Sequence, residues 1–323
     1  MKNALEYPLA LVGTGFLRAA ILRRIGECHP GTLVRVLGPT PPEPVEGVQV
    51  EYVAGRSTDT EALNTALDGA HAVVHLGSES GATRRGHGSA TPYAANVSGT
   101  AAISSAAISR GCRHLLFCST PEVYGEGAGR LLDETDPVVP QTRLARAKII
   151  GERLTAQFGL LPGRTGTVVR PFGLYGPGQP GESTMGRVLK AAMTGHPISL
   201  PGGGMQLRNF TYSDDVAEGI LAALCRANAE ESPFACYNIA SCETFSLRDA
   251  ARLAVGLAGS ASAIESPAHR AGGRRAKLPV TVQIPSVERA ASELGFRAAT
   301  LLSEGLSRCI LHDHTTTLVP VTA

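Results

Sequence analysis

Short, continuously apolar segments alternate with helix-length segments through the first half of the chain. The apolar segments are PLALVG, LVRVLG (33–38), VQVEYVAG (48–55), HAVVHLG (71–77), RHLLFCST (113–120) and GTVVRPF (166–172). Segments of helical length lie at 15–27, 59–68, 92–110 and 141–158. Strands that are apolar on both faces and separated by helices are typical of a parallel sheet covered by helices on both sides. The alternation therefore predicts an α/β fold with a doubly wound, Rossmann-like parallel sheet.

The sequence becomes richer in glycine and proline after Pro171. Three such stretches, GLYGPGQPGES, HPISLPGGGMQ and SPAHRAGGRRAKLP, separate shorter helical patterns at 184–194, 214–228 and 246–258. A chain of 323 residues has room for two modest domains of about 150 residues each. We therefore expect a first domain over 1–172 and a smaller α/β region over 173–323, parts of which return to the first domain.

Composition excludes several classes of protein. The 30 basic and 28 acidic residues nearly balance, and tryptophan is absent, so neither charge nor aromatic content indicates a nucleic-acid or membrane surface. The seven cysteines form no CxxC pair, which favours reduced thiols and a cytoplasmic protein. His312 and His314 lie close together near the C-terminus, but no second cluster completes a metal site, so we interpret them as a solvated tail.

The segment VGTGFLRAAIL follows the first predicted strand and opens a helix. Glycines at such a turn let backbone N–H groups approach a pyrophosphate at the helix N-terminus. Alone, this motif is weak evidence for a dinucleotide site. The cofactor-binding candidates that it supplies are Gly13, Gly15, Phe16 and Leu17.

Further motifs follow in a fixed order along the chain. They are NVSGT (96–100), LLFCSTPEVYG (115–125), ARAKIIGERL (145–154), RPFGLYGPGQ (170–179) and RNFTYSDDVAEGI (208–220). Together with the glycine-rich turn, they resemble the extended short-chain dehydrogenase/reductase family, in particular its NAD-dependent nucleotide-sugar epimerases and dehydratases. The resemblance implies NAD or NADP in the first domain, a nucleotide-sugar substrate in the second, and a homodimer.

In this family a Ser or Thr, a Tyr and a Lys carry out hydride transfer, in which the phenol accepts the proton of the sugar hydroxyl. Thr120 matches the Ser/Thr position and Lys148 matches the lysine, which would also hold the cofactor ribose. The tyrosine position, one helical turn before Lys148, is Leu144. Leucine has no ionisable group, so the standard hydride step is expected to be lost or rerouted. The tyrosines near the family's active site, Tyr93, Tyr124 and Tyr175, are interpreted chiefly as packing residues in loops.

The cofactor motifs also depart from the family pattern. Val12 and Arg18 replace the outer two glycines of G-x-x-G-x-x-G, Gly38 replaces the acidic residue that accepts ribose hydroxyls, and Arg56 replaces an aspartate near the adenine. We therefore expect weak NAD binding or none. An alternative remains open, in which Arg18 pairs with a phosphate and the cofactor is NADP.

The substrate side matches the family better. Glu122 stands where the family's sugar dehydratases carry a glutamate base, and the loss of a tyrosine at Leu144 predicts dry surroundings for this carboxylate. Arg208 matches an arginine that contacts the substrate diphosphate, and Arg274, with Arg275 beside it, falls near a second one. Further candidate contacts are Asn96 and Tyr175, whereas Arg84, Arg85 and His87 are interpreted as solvent-facing.

Three functions remain possible from the sequence. The first is an epimerase/dehydratase-type enzyme that acts on a nucleotide-sugar or a sugar-like intermediate by non-redox proton transfer, as an isomerase or lyase, with Thr120, Glu122 and Lys148 as catalytic residues. The second is an NAD(P)-dependent epimerase or ketoreductase with a displaced acid. The third is a non-catalytic ligand-binding protein with the same fold.

Overall fold

The predicted alternation of strands and helices is present in the first half of the chain. The computed structural model describes residues 5, 7–77, 92–125, 130–229, 232–266, 270–271, 274–275 and 282–318. The first elements are β1 (Leu9–Val12), α1 (Phe16–Cys28), β2 (Leu33–Gly38), β3 (Gln49–Ala54), α2 (Thr60–Ala66), β4 (Ala72–His75), α3 (Pro92–Ser109), β5 (His114–Cys118), β6 (Leu131–Leu132), α4 (Arg143–Gly159) and β7 (Thr165–Pro171).

The second half adds shorter elements. They are β8 (Leu174–Tyr175), α5 (Thr184–Thr194), β9 (Ile198–Ser199), β10 (Leu207–Arg208), β11 (Thr211–Tyr212), α6 (Ser213–Ala229), β12 (Phe234–Ile239), β13 (Phe245–Ser246), α7 (Leu247–Leu257), β14 (Ile264–Glu265), β15 (Arg270–Ala271), β16 (Arg274–Arg275), β17 (Val282–Pro285), α8 (Glu288–Leu294) and α9 (Leu302–Leu318).

The central sheet has seven parallel strands in the order β12, β7, β5, β4, β1, β2, β3. This order confirms the predicted doubly wound fold. β12 comes from the C-terminal half and pairs with β7, so a segment beyond residue 172 completes the sheet of the first half.

Hydrophobic cores on both faces of this sheet explain why its strands are apolar throughout. One core joins α1 and α6 to the sheet, and the other joins α2 and α3 to it. β1 and β4 are buried along their whole length. A third core, under α5, α7 and α9, belongs to the C-terminal half. Side-chain oxygens define the helix starts, since Asp59, Thr142, Ser183 and Ser246 cap α2, α4, α5 and α7.

Three expectations drawn from composition can be compared with the structure, and they concern the cysteines, the membrane and the C-terminal histidines. All seven cysteines, each within the described residues, are free thiols. None of the helices among the described residues has the length and apolar character needed to cross a membrane. His312 and His314 lie in α9, so the C-terminal segment interpreted as a tail is helical at these residues, and both side chains are exposed.

Candidate active site

A crevice is expected where the strand order of the central sheet reverses, between β1 and β4. Val12 at the end of β1 pairs with His75 at the end of β4. The glycines that follow these strand ends, Gly13 and Gly77, have φ angles of +136° and +84°. In doubly wound sheets, ligands bind beyond the carboxyl ends of the strands at this switch point.

The turn after β1 keeps the backbone shape of a phosphate-binding loop. Gly13 and Gly15 have positive φ angles of +136° and +91°, and a Cβ on Gly13 would lie only 2.9 Å from the Cβ of Leu76. α1 begins at Phe16, and its first turn contains no acidic residue, so its N–H groups suit an anion. The side chain of Leu17 packs in the main core, so contact between this residue and a ligand would use its backbone.

Arg18 fills the space between this turn and the end of β2. The residue is only 7% exposed. Its Nη1 donates to the carbonyl of Thr40 at 2.9 Å and more weakly to that of Gly13 at 3.5 Å, and its Nη2 donates to the carbonyl of Pro41 at 3.2 Å. Burial lowers the pKa of Arg18. Both terminal nitrogens of the guanidinium thus donate to backbone carbonyls of the turn after β1 and of the loop after β2.

The surroundings of Arg18 do not fit the adenosine end of a dinucleotide. Gly38, at the end of β2, has no carboxylate to accept ribose hydroxyls, and the Arg18 guanidinium lies against it. Arg56, beyond β3, is exposed. The glycine-rich turn fits a pyrophosphate, whereas the end of β2 offers an arginine in place of an acceptor.

Lys148 is buried on the inner face of α4, at the end of β5. Its Nζ donates to the carbonyl of Cys118 at 2.6 Å and lies 5.0 Å from the centre of the Phe117 ring. Burial lowers the pKa of Lys148. Gly77 has a positive φ of +84°, and a Cβ there would lie only 2.5 Å from the carbonyl oxygen of Cys118 and would also collide with this Nζ. Lys148 therefore lies at the carboxyl ends of β4 and β5, next to the switch point.

Leu144 begins the turn of α4 that precedes Lys148, and it is 38% exposed. Residues four apart in a helix lie on adjoining parts of the same surface. Two of the tyrosines considered from the sequence have their rings or hydroxyls committed elsewhere. Tyr124 is buried and donates to Asn238 Oδ1 at 2.7 Å, and Tyr175 is 1% exposed. Burial raises the pKa of both phenols, which makes them poor proton donors. Tyr93 is half-buried in the first turn of α3.

Thr120 and Glu122 lie directly after β5, where a short 3-10 helix begins. The Oγ1 of Thr120 accepts a hydrogen bond from the Glu122 backbone N–H at 3.4 Å. The Glu122 Oε2 accepts one from the Thr142 hydroxyl at 2.8 Å. Lys148 and Glu122 are close enough for their charges to interact, which opposes part of the burial effect on Lys148. The three candidate catalytic residues therefore lie in one region, between the end of β5 and the start of α4.

The prediction that Glu122 lies in surroundings without water is wrong. Its side chain is exposed, as is Thr142, because both lie at the open N-terminal end of α4. The reasoning from Leu144 considered a single neighbour, whereas the exposure of a carboxylate depends on all the chain around it. Water would leave this carboxylate only when a ligand covers it.

The candidate substrate contacts lie in different environments. Arg208, in β10, is half-buried, its Nη1 donates to the carbonyl of Leu207 at 2.9 Å, and burial lowers its pKa. Asn96 is half-buried in α3. Tyr175 is corrected from ligand contact to packing residue, because its ring lies in the C-terminal core against Tyr212.

Several predicted residues lie outside what the structure describes. Arg84, Arg85 and His87 belong to segment 78–91, and the side chains of Arg274 and Arg275 in β16 are also outside it.

Tyr93, Tyr124 and Tyr175, expected in loops, instead lie in α3, the 3-10 helix and β8.

A buried polar cluster beside the site was missed by the sequence analysis. Glu152 pairs with Arg170 through two hydrogen bonds of 2.9 and 2.7 Å, and Ser119 donates to Glu152 at 2.5 Å. Arg170 also donates to the Tyr124 hydroxyl at 2.7 Å. The helical spacing could have indicated Glu152, because this residue lies one turn after Lys148 on the same surface of α4. The partner on β7 was not evident from the sequence.

A buried histidine also lies near Lys148. His75 bonds through Nε2 to the Thr100 hydroxyl at 3.0 Å, and its Nδ1 accepts from the Gly77 N–H at 3.2 Å. Burial, with the nearby Lys148 charge, lowers the pKa of His75 to about 3. His75 is therefore neutral at physiological pH and is a structural hydrogen-bonding group here.

Comparison with known proteins agrees with this geometry. A sequence model described as "NAD dependent epimerase/dehydratase family" matches residues 13–240. A dTDP-glucose 4,6-dehydratase of Streptomyces griseus is 29% identical over 249 residues, which cover 77% of this chain and 73% of the relative.

Solved structures show the same fold. The structure of MoeE5 in complex with UDP-glucuronic acid and NAD superposes with a TM-score of 0.80 and 25% identity, over 95% of this chain and 99% of the other. A UDP-glucose 4-epimerase of Thermotoga maritima with UDP-glucose has a TM-score of 0.78 and 21% identity, over 96% and 99% of the two chains.

Proposed function

Because this chain belongs to the NAD dependent epimerase/dehydratase family, we propose that it is an enzyme that acts on a nucleotide-sugar by proton transfer, without the tyrosine-dependent hydride step. The observation that carries this proposal is Leu144, a partly exposed apolar side chain one turn before the buried Lys148. Leucine cannot exchange a proton with a sugar hydroxyl. Lys148 then has no phenol at that position to activate.

Glu122 is the proposed proton-transfer residue. Its carboxylate is exposed, and Thr142 fixes Oε2 by a hydrogen bond of 2.8 Å, so the group is both reachable and oriented. The Lys148 charge lies near enough to interact with it. A positioned carboxylate of this kind accepts a proton from a carbon acid and returns it.

The loss of hydride transfer limits the substrate. A sugar C–H becomes acidic enough for a carboxylate only when a carbonyl lies beside it. Without an oxidation step in this site, the substrate has to arrive with that ketone already formed. Glu122 would remove the proton from the neighbouring carbon and leave an enolate, and return of the proton completes an epimerisation or isomerisation with no net oxidation.

The nucleotide part of the substrate is proposed from the relatives and from Arg208. The names of the relatives include dTDP-glucose and UDP-glucose enzymes. Arg208 lies half-buried on β10, and a guanidinium can hold a phosphate through two parallel hydrogen bonds. We therefore propose that Arg208 binds the diphosphate of a keto nucleotide-sugar.

The test is hydrogen exchange into a nucleotide-bound 4-keto sugar. The protein is incubated with the sugar in D2O, and deuterium incorporation is followed by NMR. We expect exchange in the wild type and at least a hundredfold slower exchange in Glu122→Gln, with ligand affinity unchanged. Glu61→Gln, a change of an exposed carboxylate on α2, is the matched control and should leave exchange unaltered.

Two outcomes would favour the rival functions. Exchange that requires added NAD or NADP would indicate a redox enzyme with a displaced acid. Tight sugar binding without exchange across a panel of keto nucleotide-sugars would indicate a ligand-binding protein. Equal exchange rates in the wild type and Glu122→Gln would remove Glu122 from the mechanism.

A further inference from the structure

Arg18 and Gly38 form a matched pair at the end of β2. A Cβ on Gly38 would lie 3.1 Å from the Nη1 of Arg18, 3.2 Å from the carbonyl oxygen of Gly13 and 3.3 Å from the Cγ2 of Thr14. These distances are tighter than ordinary van der Waals contact. The arginine in the first turn of α1 and the missing side chain at the end of β2 are therefore one structural feature, and not two separate losses.

The acceptors of the Arg18 guanidinium lie on a stiff loop. Thr40 and Pro41 supply two of its carbonyls, and the segment PTPPEP (39–44) contains four prolines, whose rings fix φ. The end of β2 is held in addition by Tyr52, whose hydroxyl donates to the Gly38 carbonyl at 3.0 Å. The contact between Arg18 and this loop therefore requires little ordering of the backbone.

The guanidinium occupies a defined part of the dinucleotide fold. In such folds an acidic residue at the end of the second strand accepts the hydroxyls of the adenosine ribose, in front of the glycine-rich turn. Here Arg18 bridges that turn, through Gly13, and the loop that follows Gly38. It is 7% exposed, so its side chain is part of the packed wall of the crevice.

We propose that Arg18, together with Gly38, is the specificity-determining residue that closes the adenosine end of the cofactor site and excludes nicotinamide adenine dinucleotides. The glycine-rich turn and the N-terminus of α1 keep their phosphate-binding shape beneath it. Binding of a dinucleotide requires Arg18 to give up its carbonyl acceptors and leave the wall. This inference is separate from the proton-transfer proposal, because its test uses cofactor and no sugar substrate.

The experiment is calorimetric titration of the purified chain with NAD and with NADP. We expect no saturable binding of either by the wild type up to millimolar concentration. Arg18→Gly should strengthen NAD binding at least tenfold, and Arg18→Gly with Gly38→Asp at least tenfold more, because the new carboxylate accepts ribose hydroxyls. Arg23→Gly, which places the same substitution elsewhere in α1, is the matched control and should not bind NAD better than the wild type.

Three results would overturn the proposal. Low-micromolar binding of NAD by the wild type would show that Arg18 does not close the site. NADP binding by the wild type that is lost in Arg18→Gly would make Arg18 a phosphate contact. A folded Arg18→Gly variant with no gain in affinity would show that another feature excludes the cofactor.

A thermal measurement tests the matched pair without any ligand. Gly38→Ala should lower the melting temperature more in the wild type than in the Arg18→Gly background, because Nη1 is one of its close contacts. Equal losses would assign the tight space to Gly13 and Thr14 alone. If Arg18→Gly is too unstable to study, Arg18→Ala replaces it, since alanine has a higher helix propensity than glycine and also removes the guanidinium from the space beside Gly38.

Discussion

The start and the middle of α4 differ in how their polar groups are partnered. In the middle, Lys148 and Glu152 are buried, and each bonds to a fixed partner on the central sheet. At the start, one turn before Lys148 on the same surface, Leu144 is partly exposed, and the hydroxyl of Thr142 joins an exposed Glu122 at the entrance to the crevice. The middle of α4 holds a charge network that the fold needs, whereas a substitution at its start is expected to alter chemistry at small structural cost. A leucine at position 144 is therefore compatible with a lysine that stays buried and bonded at position 148.

The largest expected effect is on chemistry at the start of α4. Leu144→Tyr in an Arg18→Gly and Gly38→Asp background should create hydride transfer between NADH and a keto nucleotide-sugar, because Thr120 and Lys148 are already in place. General acid catalysis contributes about 10² to 10⁴ in rate. The measurement is loss of NADH absorbance. Leu144→Phe in the same background is the control, and equal rates in the two variants would show that the phenol hydroxyl plays no part.

Stability should respond strongly to Arg170→Met, which removes the partner of Glu152 in the middle of α4. The substitution leaves Glu152 buried without its cation, which costs about 3 to 5 kcal/mol of unfolding free energy. Urea denaturation measures this loss. Arg146→Met, on the exposed surface of α4, should change the unfolding free energy by less than about 0.5 kcal/mol. Similar losses in both variants would contradict the distinction between the buried network and the exposed surface of α4.

Acid should lower the free energy of unfolding, because two histidines are buried in their neutral form. Burial lowers the pKa of His75 and of His114 to about 3, so both stay neutral in the folded state. The unfolded chain binds protons near pH 6.5, and stability therefore falls as pH falls from about 6.5 towards 3. Between pH 7 and pH 5 the loss is about 2 kcal/mol for each histidine.

The histidine prediction is checked by urea denaturation at the two pH values. His114→Gln should reduce the difference between them, whereas His196→Gln, at an exposed histidine, should leave it unchanged. An unaltered difference in His114→Gln would show that other groups cause the acid sensitivity.

The smallest effect is expected at the start of α4. Thr142→Val removes the cap, in which Oγ1 accepts from the Ala145 N–H at 3.0 Å, and also removes the hydrogen bond to Glu122. The loss of a cap costs about 1 kcal/mol. The midpoint of thermal unfolding measures it, and Thr142→Ser should retain most of the stability. A larger loss than for Arg170→Met would reverse the ranking of the start and the middle of α4.

Local patterns predicted the fold and the spacing around α4. Strands such as β1 and β4 are buried on both faces, so their apolar character is visible in the sequence without knowledge of their neighbours. Leu144 and Lys148 are four residues apart, which is about one helical turn, and this spacing can be read directly from the sequence. The pattern of such segments was therefore sufficient for the sheet and for the helix beside it.

Contacts between distant segments were not predictable in the same way. Arg18 bonds to a loop more than twenty residues away, and Arg170 pairs with Glu152 across two elements. The exposure of Glu122 likewise depends on how the end of β5 meets the start of α4. Residue types and spacing do not show how far apart such segments lie in the fold. The Arg18 contact and the pairing of Glu152 with Arg170 therefore became evident only in three dimensions.

The contact between Arg18 and the bare backbone of Gly38 makes the order of mutations matter over evolutionary time. A side chain added at position 38 while Arg18 is present must fit into space already limited by the guanidinium, at 3.1 Å. The same side chain added after Arg18 is replaced by a smaller residue meets one close contact fewer. The two positions are thus energetically coupled, and one order of the two substitutions passes through a less strained intermediate than the other.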